Sequence, residues 1–501
     1  MIETKYFEET FELVRNICED KVVSCIGLPF VLSLLKIEKN DDGEYILLGE
    51  TPYTNNIHRK TTKLLKFQLV LISGKKYIVE ESYIISLESD FAAPITMAKL
   101  QIKLTKVRPI NTQKNTTKYH RFIVPCENAE NWMSDICTYG YNKTYTNNVG
   151  ETRCFSQRGV FQFSVRNNGY EVFPYKNGND TYLVIDSLNK CTEQEISDVY
   201  QAVGLTLNWL LGIKSGGVVH IVSSQDKRFN RKCYLVITNR AIDIKNNYPI
   251  FTTNMYSLWN YLEAKRIKTK ACGKLKGENG KLNQHLQDWL HEDELSRMIN
   301  LIYENSDLAR ALYICISASS APLEYQPALL SVALETITTY FELRNPEKSK
   351  TILSKEEWKP ICETLIETLK QQGLSNDIYE KLEARIRADI NRQFNSDKLS
   401  RPFELVHYDL TEGESNTIGQ RNDFLHGRLE SLEIEKKRIK GKLPPKSIDD
   451  EYQDLITTSV ILYRLCSVLL LKLSDYKGYI INHLLFYYPH SPKNEKIVIK
   501  I

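Results

Sequence analysis

The stretch Thr417-Ile418-Gly419-Gln420-Arg421-Asn422-Asp423-Phe424-Leu425-His426-Gly427 decides how the carboxyl half of this chain is read. Thr417 with Gln420 three residues on fits a capping box, which predicts a helix with Arg421 in its first turn. At about 3.6 residues per turn, Ile418, Leu425, Leu429 and Leu432 fall on one apolar stripe, the signature of a helix with a buried seam. Arg421 borders that stripe on one side. Asn422 and His426, an i,i+4 pair, border it on the other.

Arginine and histidine in such a place suggest chemistry on a phosphodiester. Phosphate oxygens favour the amino-terminal end of a helix. A histidine moves protons near neutral pH, and an arginine can brace the charge of a pentacoordinate phosphorus without a metal. On an ideal helix the two side chains project roughly 140° apart, so one helix alone does not hold them in contact. A second copy of the chain or another helix is needed to complete the site.

The residues Arg421-Asn422-x-x-x-His426-Gly427, set in an all-helical carboxyl-terminal region, resemble the HEPN superfamily and most closely its Apea-like branch. The resemblance spans roughly residues 285–485, less than half of the chain. It implies a metal-independent endoribonuclease with no cofactor, working as a homodimer through the helical region in a toxin or anti-phage setting. It also implies catalytic roles for Arg421, His426 and Asn422, with Glu335 the candidate on an earlier helix for orienting His426 or Arg421. The expected reaction is attack of the substrate's own 2′-OH on the adjacent phosphorus, leaving a 2′,3′-cyclic phosphate and a 5′-OH; DNA lacks that nucleophile. One open alternative is a non-catalytic dimeric interaction or RNA-binding protein with a ligand-sensing β-rich domain. Another is a HEPN protein held inactive by an antitoxin or partner enzyme.

Composition bounds these readings. A chain of 501 residues with 26% charged and 42% hydrophobic residues fits a globular protein of two or three domains. The net charge of +4 is small, so any RNA surface must come from local clustering. Arg428, Lys436, Lys437 and Arg438 form such a cluster after the motif, either as a solvated helix face or as contacts to RNA phosphates. The eleven cysteines include no Cys-x-x-Cys pair, which points to a reducing, cytoplasmic setting and away from a thiolate metal site. The longest apolar run, Val460 to Leu473, is broken by Arg464 and Lys472 and predicts a core helix, with no membrane partner.

The fold class expected is α+β, with a β-rich region over 1–264, a basic linker over 265–283, a HEPN-type helical bundle over 284–485 and a tail over 486–501. Phe67, Leu69 and Leu71 before Gly74-Lys75, then Tyr77 and Val79, predict a hairpin; Phe161, Phe163 and Val165 before Asn168-Gly169, then Tyr170 and Val172, predict another. One helix interrupts the strands after them, capped by Thr192 with Glu195 and closed by Gly212, before strands expected over Val218–Val222 and Cys233–Thr238. His58, His120 and His220 lack metal-ligand spacing and read as structural. A regulatory ligand or phage component is the expected partner of the β-rich region. Beyond Gln284 five helices precede a polar loop running to Asn416, then the motif helix, and finally a helix capped by Ser447 with Asp450 that runs to about Lys477.

Overall fold

A computed structural model describes residues 18–40, 43–53, 65–89, 97–110, 116–126, 141–146, 152–157, 161–177, 180–215, 218–227, 229, 234–239, 244–250, 292–344, 351–391, 395–425, 437–441, 444, 447–484 and 498–501. The chain forms two compact units, the first from Met1–Glu304 with Ser474–Ile481 and Val498–Lys500, the second from Asn305–Leu473 with Asn482–Ile497 and Ile501. Strands dominate the first and helices the second, as an α+β chain requires.

In the first unit the strands run β1 (Val22–Ile26), β2 (Ser33–Lys39), β3 (Tyr45–Pro52), β4 (Phe67–Leu71), β5 (Lys76–Ser89), β6 (Met97–Pro109) and β7 (Tyr119–Pro125). They continue with β8 (Tyr141–Thr146), β9 (Thr152–Gln157), β10 (Phe161–Val165), β11 (Asn168–Asn177) and β12 (Asp180–Ser187). Helix α1 (Glu193–Leu211) leads to β13 (Val218–Ser224) and β14 (Tyr234–Asn239). Twelve strands make one sheet in the order β1-β4-β5-β6-β14-β13-β7-β12-β11-β10, with β3 pairing β6 beside β14 and carrying β2 on its far side. Every described pairing in it is antiparallel. The sheet curls on itself: Leu47, Phe67 and Ile102 from its first half share one apolar cluster with Ile123, Val184 and Leu235 from its second. The opposite face of β7 packs on α1, where Phe122 stacks on Tyr200 with ring centroids 5.1 Å apart. Strands β7 and β13 are therefore buried on both faces along nearly their whole length, polar His120, Arg121 and His220 included.

Both hairpins form, but the second turns two residues earlier than Asn168-Gly169. Val165 pairs with Asn168, so the two-residue loop is Arg166-Asn167, with φ of 47° and 72°. Both loop residues in the left-handed region match the mirror-image turn whose twist suits a hairpin, and asparagine tolerates that region better than most residues. Helix α1 has the full Thr192/Glu195 capping box, and Gly212 closes it at φ 70°.

In the second unit the helices are α3 (Ser306–Ser320), α4 (Gln326–Arg344), α5 (Lys355–Lys370), α6 (Asn376–Ala388), α7 (Asn395–Leu405), α8 (Glu412–Gly419), α9 (Arg421–Leu425) and α10 (Ile448–Leu473). Helices α3, α4 and α10 form its centre, with Leu312, Leu334 and Leu465 fully buried. By length and composition α10 could cross a membrane, yet 83% of its most apolar window is buried inside the protein.

Three expectations need correction. Helix α2 (Glu292–Glu304) belongs to the sheet unit, since it packs on α1 and β10. A helical period reveals an apolar face but not which core receives it. The stretch before Asn416 is not a loop: α7 and α8 lie there, with polar exposed faces that weaken the periodic signal. Finally, α10 stops at Leu473, and Tyr479–Ile481 pairs with Val498–Lys500 as strands β15 and β16 of the first unit. The basic linker over 265–283, the amino-terminal residues before Cys18 and His58 lie outside the described residues.

Candidate active site around Arg421

The helix leading to Arg421 starts earlier than Thr417. Thr411 is the N-cap of α8, its hydroxyl accepting from the Glu414 amide while the Glu414 carboxylate accepts from the Thr411 amide at 2.9 Å. Thr417 lies inside the helix, donating its hydroxyl to the Gly413 carbonyl at 2.8 Å. Gln420 ends α8 with φ −84° and ψ 0°, and Arg421 opens α9. The sequence 411–414, Thr-x-x-Glu, carries the stronger version of the capping signal, because glutamate completes the box with a charge-assisted bond.

Glu414 does more than cap. Its other oxygen accepts from the Tyr408 hydroxyl at 3.1 Å and from Arg464 Nε of α10 at 3.1 Å, while Arg464 Nη1 donates to Asn482 at 3.3 Å. Glu414 and Arg464 are almost wholly buried. This network ties α8 to the central helix and so fixes the point from which α9 departs. Arg464 was visible in the sequence only as a charge interrupting an apolar run.

Ile418 near the end of α8 and Arg421 and Phe424 of α9 face inward; Leu425, expected on the buried stripe, is 37% exposed. Phe424 takes that place because α9 starts anew after Gln420, which shifts the inward face by one residue from that of a single continuous helix. The Arg421 guanidinium, nine-tenths buried, donates Nη2 to the Glu335 carboxylate of α4 as a close ion pair. Glu335 is half exposed, so the pair has one end in the protein and one open to solvent. Arg421, one of the two motif residues that Glu335 was expected to orient, is thus its partner in this pair. Its neighbours along the outer face of α4 are mixed: Val332 and Leu343 are apolar and exposed, Thr336 and Thr339 turn their hydroxyls back to the carbonyls of Val332 and Glu335 at 2.9 Å, and Glu342 pairs with Lys398 at 3.4 Å.

His426 and Gly427 lie outside the described residues, as do Arg428 and Lys436, and the Asn422 side chain is likewise not described. Of the basic run, Lys437 is exposed, and Arg438 donates to the Pro444 carbonyl, closing the turn before α10. Among the described residues no three His, Cys, Asp or Glu side chains converge as metal ligands.

The sheet unit holds buried polar groups of another kind. His120 Nε2 donates to the Cys191 carbonyl at 2.9 Å, leaving Nδ1 to accept from the Ser223 hydroxyl at 2.8 Å. Burial pushes its pKa down to about 4, against that carbonyl contact, which raises it. His220 meets the Tyr45 hydroxyl at 2.8 Å, and burial lowers its pKa to about 3 while raising that of Tyr45. Arg121 forms a two-pronged pair with Asp186 at 2.7 and 2.8 Å under the ring of Phe229. The Ser223 and Asp186 contacts join neighbouring strands, the Tyr45 contact links β3 to β13, which do not pair, and both histidines are held by structural contacts.

No protein-family model matches the chain, and no curated protein or solved structure matches it.

Proposed function

We propose that this chain is a metal-independent endoribonuclease of HEPN type, active as a homodimer through its helical unit, in which Arg421 and His426 act on the phosphodiester and Asn422 orients the histidine or the substrate. The observation that supports the reading best is the Arg421–Glu335 pair, which holds one motif residue in a fixed pose on two packed helices with its carboxylate partner open to solvent. In the proposed reaction the substrate's 2′-OH gives up its proton to one copy of His426 and its oxygen bonds to phosphorus. The 5′-oxygen leaves and takes a proton, and Arg421 stabilises the added negative charge. The products are a 2′,3′-cyclic phosphate and a 5′-OH; neither step calls on a cofactor. The solvent-facing side of α4 beside Glu335, with Val332, Thr336 and Thr339, supplies a surface on which a second motif helix could complete the site. Lys437, with Arg428, Lys436 and Arg438, would follow RNA phosphates.

The burial of Arg421 supports a second reading, in which the ion pair is structural and the bundle is a non-catalytic dimeric interaction or RNA-binding module. Mixing separately inactive Arg421→Ala and His426→Ala chains distinguishes the two. Recovered RNA cleavage supports a site shared between subunits; full activity in either variant alone rules out the proposed chemistry. A toxin or anti-phage role and a cytoplasmic setting are part of the proposal; the first rests on the sequence resemblance alone and the second on the cysteine pattern.

A further inference from the structure

Helices α5 and α6 make an antiparallel hairpin that, among the described residues, has too little neighbour for its apolar surface. On α5 two adjacent rows are apolar. Cys362 and Ile366 are buried in the seam with α6, whereas Ile361 and Leu365 remain 44% and 37% exposed. On α6 Tyr379 and Ile386 are partly buried, while Ile378 and Leu382 remain 48% and 37% exposed. In each helix the exposed row sits one residue before the seam row. In two antiparallel helices that offset rotates both exposed rows toward the same side, so the four residues form one continuous face. An apolar stripe this wide on both helices is the pattern of a helix that contacts two neighbours in a bundle.

We infer that this face is a contact between two copies of the chain, which pair their α5–α6 hairpins into an intermolecular four-helix bundle. Charge and size argue for a second copy as the occupant. Glu357 continues the Ile361–Leu365 row by one turn, and Arg385 continues the Ile378–Leu382 row, and both lie at the same end of the hairpin because α5 runs opposite to α6. A two-fold axis along the hairpin, in the plane of the face, lays α5 of one copy across α6 of the other. That operation sets Glu357 of each copy opposite Arg385 of the other, the self-complementarity a two-fold interface requires. The face is about 24 Å long from the rise of a sixteen-residue helix and ~20 Å wide from two helix diameters. That is about 480 Å² per partner in projection, or close to the roughly 1,000 Å² in total that a specific interface should clear. The inference does not depend on the chemistry at Arg421.

Light scattering on the full chain, with circular dichroism as the check on folding, tests it. Leu365→Glu should halve the molar mass with helicity kept, and Arg385→Glu, a surface change that cannot open a core, should weaken self-association at least tenfold while Arg385→Lys retains it. Cross-linking a mixture of light and heavy-isotope protein should yield mixed-isotope links between α5 and α6. A monomeric wild type would overturn the inference, as would links confined to one isotope. So would a dimer that survives Leu365→Glu and Arg385→Glu but is lost on Val332→Glu, because that result places the contact on α4.

Discussion

Removing one member of the buried Glu414–Arg464 pair should cost far more than removing both. The two side chains are 1% and 5% exposed, so either one left alone is a charge stranded away from water. Loss of one partner of such a pair costs about 3–5 kcal/mol. Arg464→Met belongs at the lower end, because Glu414 keeps the Thr411 amide and hydroxyl and the Tyr408 hydroxyl as donors. Glu414→Leu belongs at the upper end, since it also removes the reciprocal cap of α8, itself worth about 1 kcal/mol. The double variant, which buries no charge, should recover at least ~2 kcal/mol of the summed single losses. Hydrogen exchange of peptides from Ile448–Leu473, followed by mass spectrometry in the full chain, reads this in the unit concerned. A loss of about 3 kcal/mol appears as roughly 150-fold faster exchange at ten-fold per ~1.4 kcal/mol. Single variants that each cost under ~1 kcal/mol, or costs that simply add in the double, would refute the pair as the strut that holds α8.

Arg421→Lys should lower RNA cleavage by about 10²- to 10³-fold without unfolding the helical unit, because an ammonium keeps the charge but not the planar donors that fit both Glu335 and a phosphate. Steady-state cleavage beside circular dichroism checks it. The sheet unit should lose stability in mild acid. His120 and His220 have folded-state pKa values below the ordinary 6.5, so the unfolded chain binds the extra protons. Stability is thus full above about pH 6.5 and falls as pH drops toward 4, with ~1.4 kcal/mol per pH unit giving about 3 kcal/mol for His120 alone. Urea unfolding across that window should show the decline, and His120→Gln should flatten it. At the second hairpin, Asn167→Gly should stabilise by about 0.5 kcal/mol by relieving a side chain at positive φ, measurable by the urea midpoint. Replacing Lys436, Lys437 and Arg438 together by Glu should weaken RNA binding and flatten its salt dependence; an unchanged slope would make the run a solvated face.

Where one residue type settles a local geometry, the sequence was legible. Gly74 and Gly212 mark a turn and a helix end, and the alternation through Phe67–Leu71 and Phe161–Val165 shows the strand faces. The motif region was less so, because two capping signals compete there. Thr417-x-x-Gln420 has the spacing but sits within α8, whereas Thr411-x-x-Glu414 makes the cap. That displacement carried Leu425 outward and Phe424 inward. The Arg421–Glu335 contact joins residues 86 positions apart; the residues themselves showed Glu335 only as a charge on an apolar helix, and the family resemblance alone made it a candidate partner of Arg421 or His426. The Glu414–Arg464 pair was hidden for the same reason: each residue looks like an ordinary surface charge until the partner 50 positions away is brought to it. Helix α2 illustrates a related limit, since Leu295, Met298 and Ile299 announce a buried face equally well for either unit.

The central claim, a metal-independent cleavage through the substrate's own 2′-OH, is tested most directly on an oligonucleotide with a single ribonucleotide in a DNA strand, incubated with the full chain in excess EDTA. Mass spectrometry of the products should show one cut, immediately 3′ of the ribonucleotide, leaving a 2′,3′-cyclic phosphate and a 5′-OH, with no cut by the His426→Ala variant or on the all-DNA strand. Cleavage of the all-DNA strand, activity that returns only with a divalent cation, or cleavage undiminished in His426→Ala would contradict it.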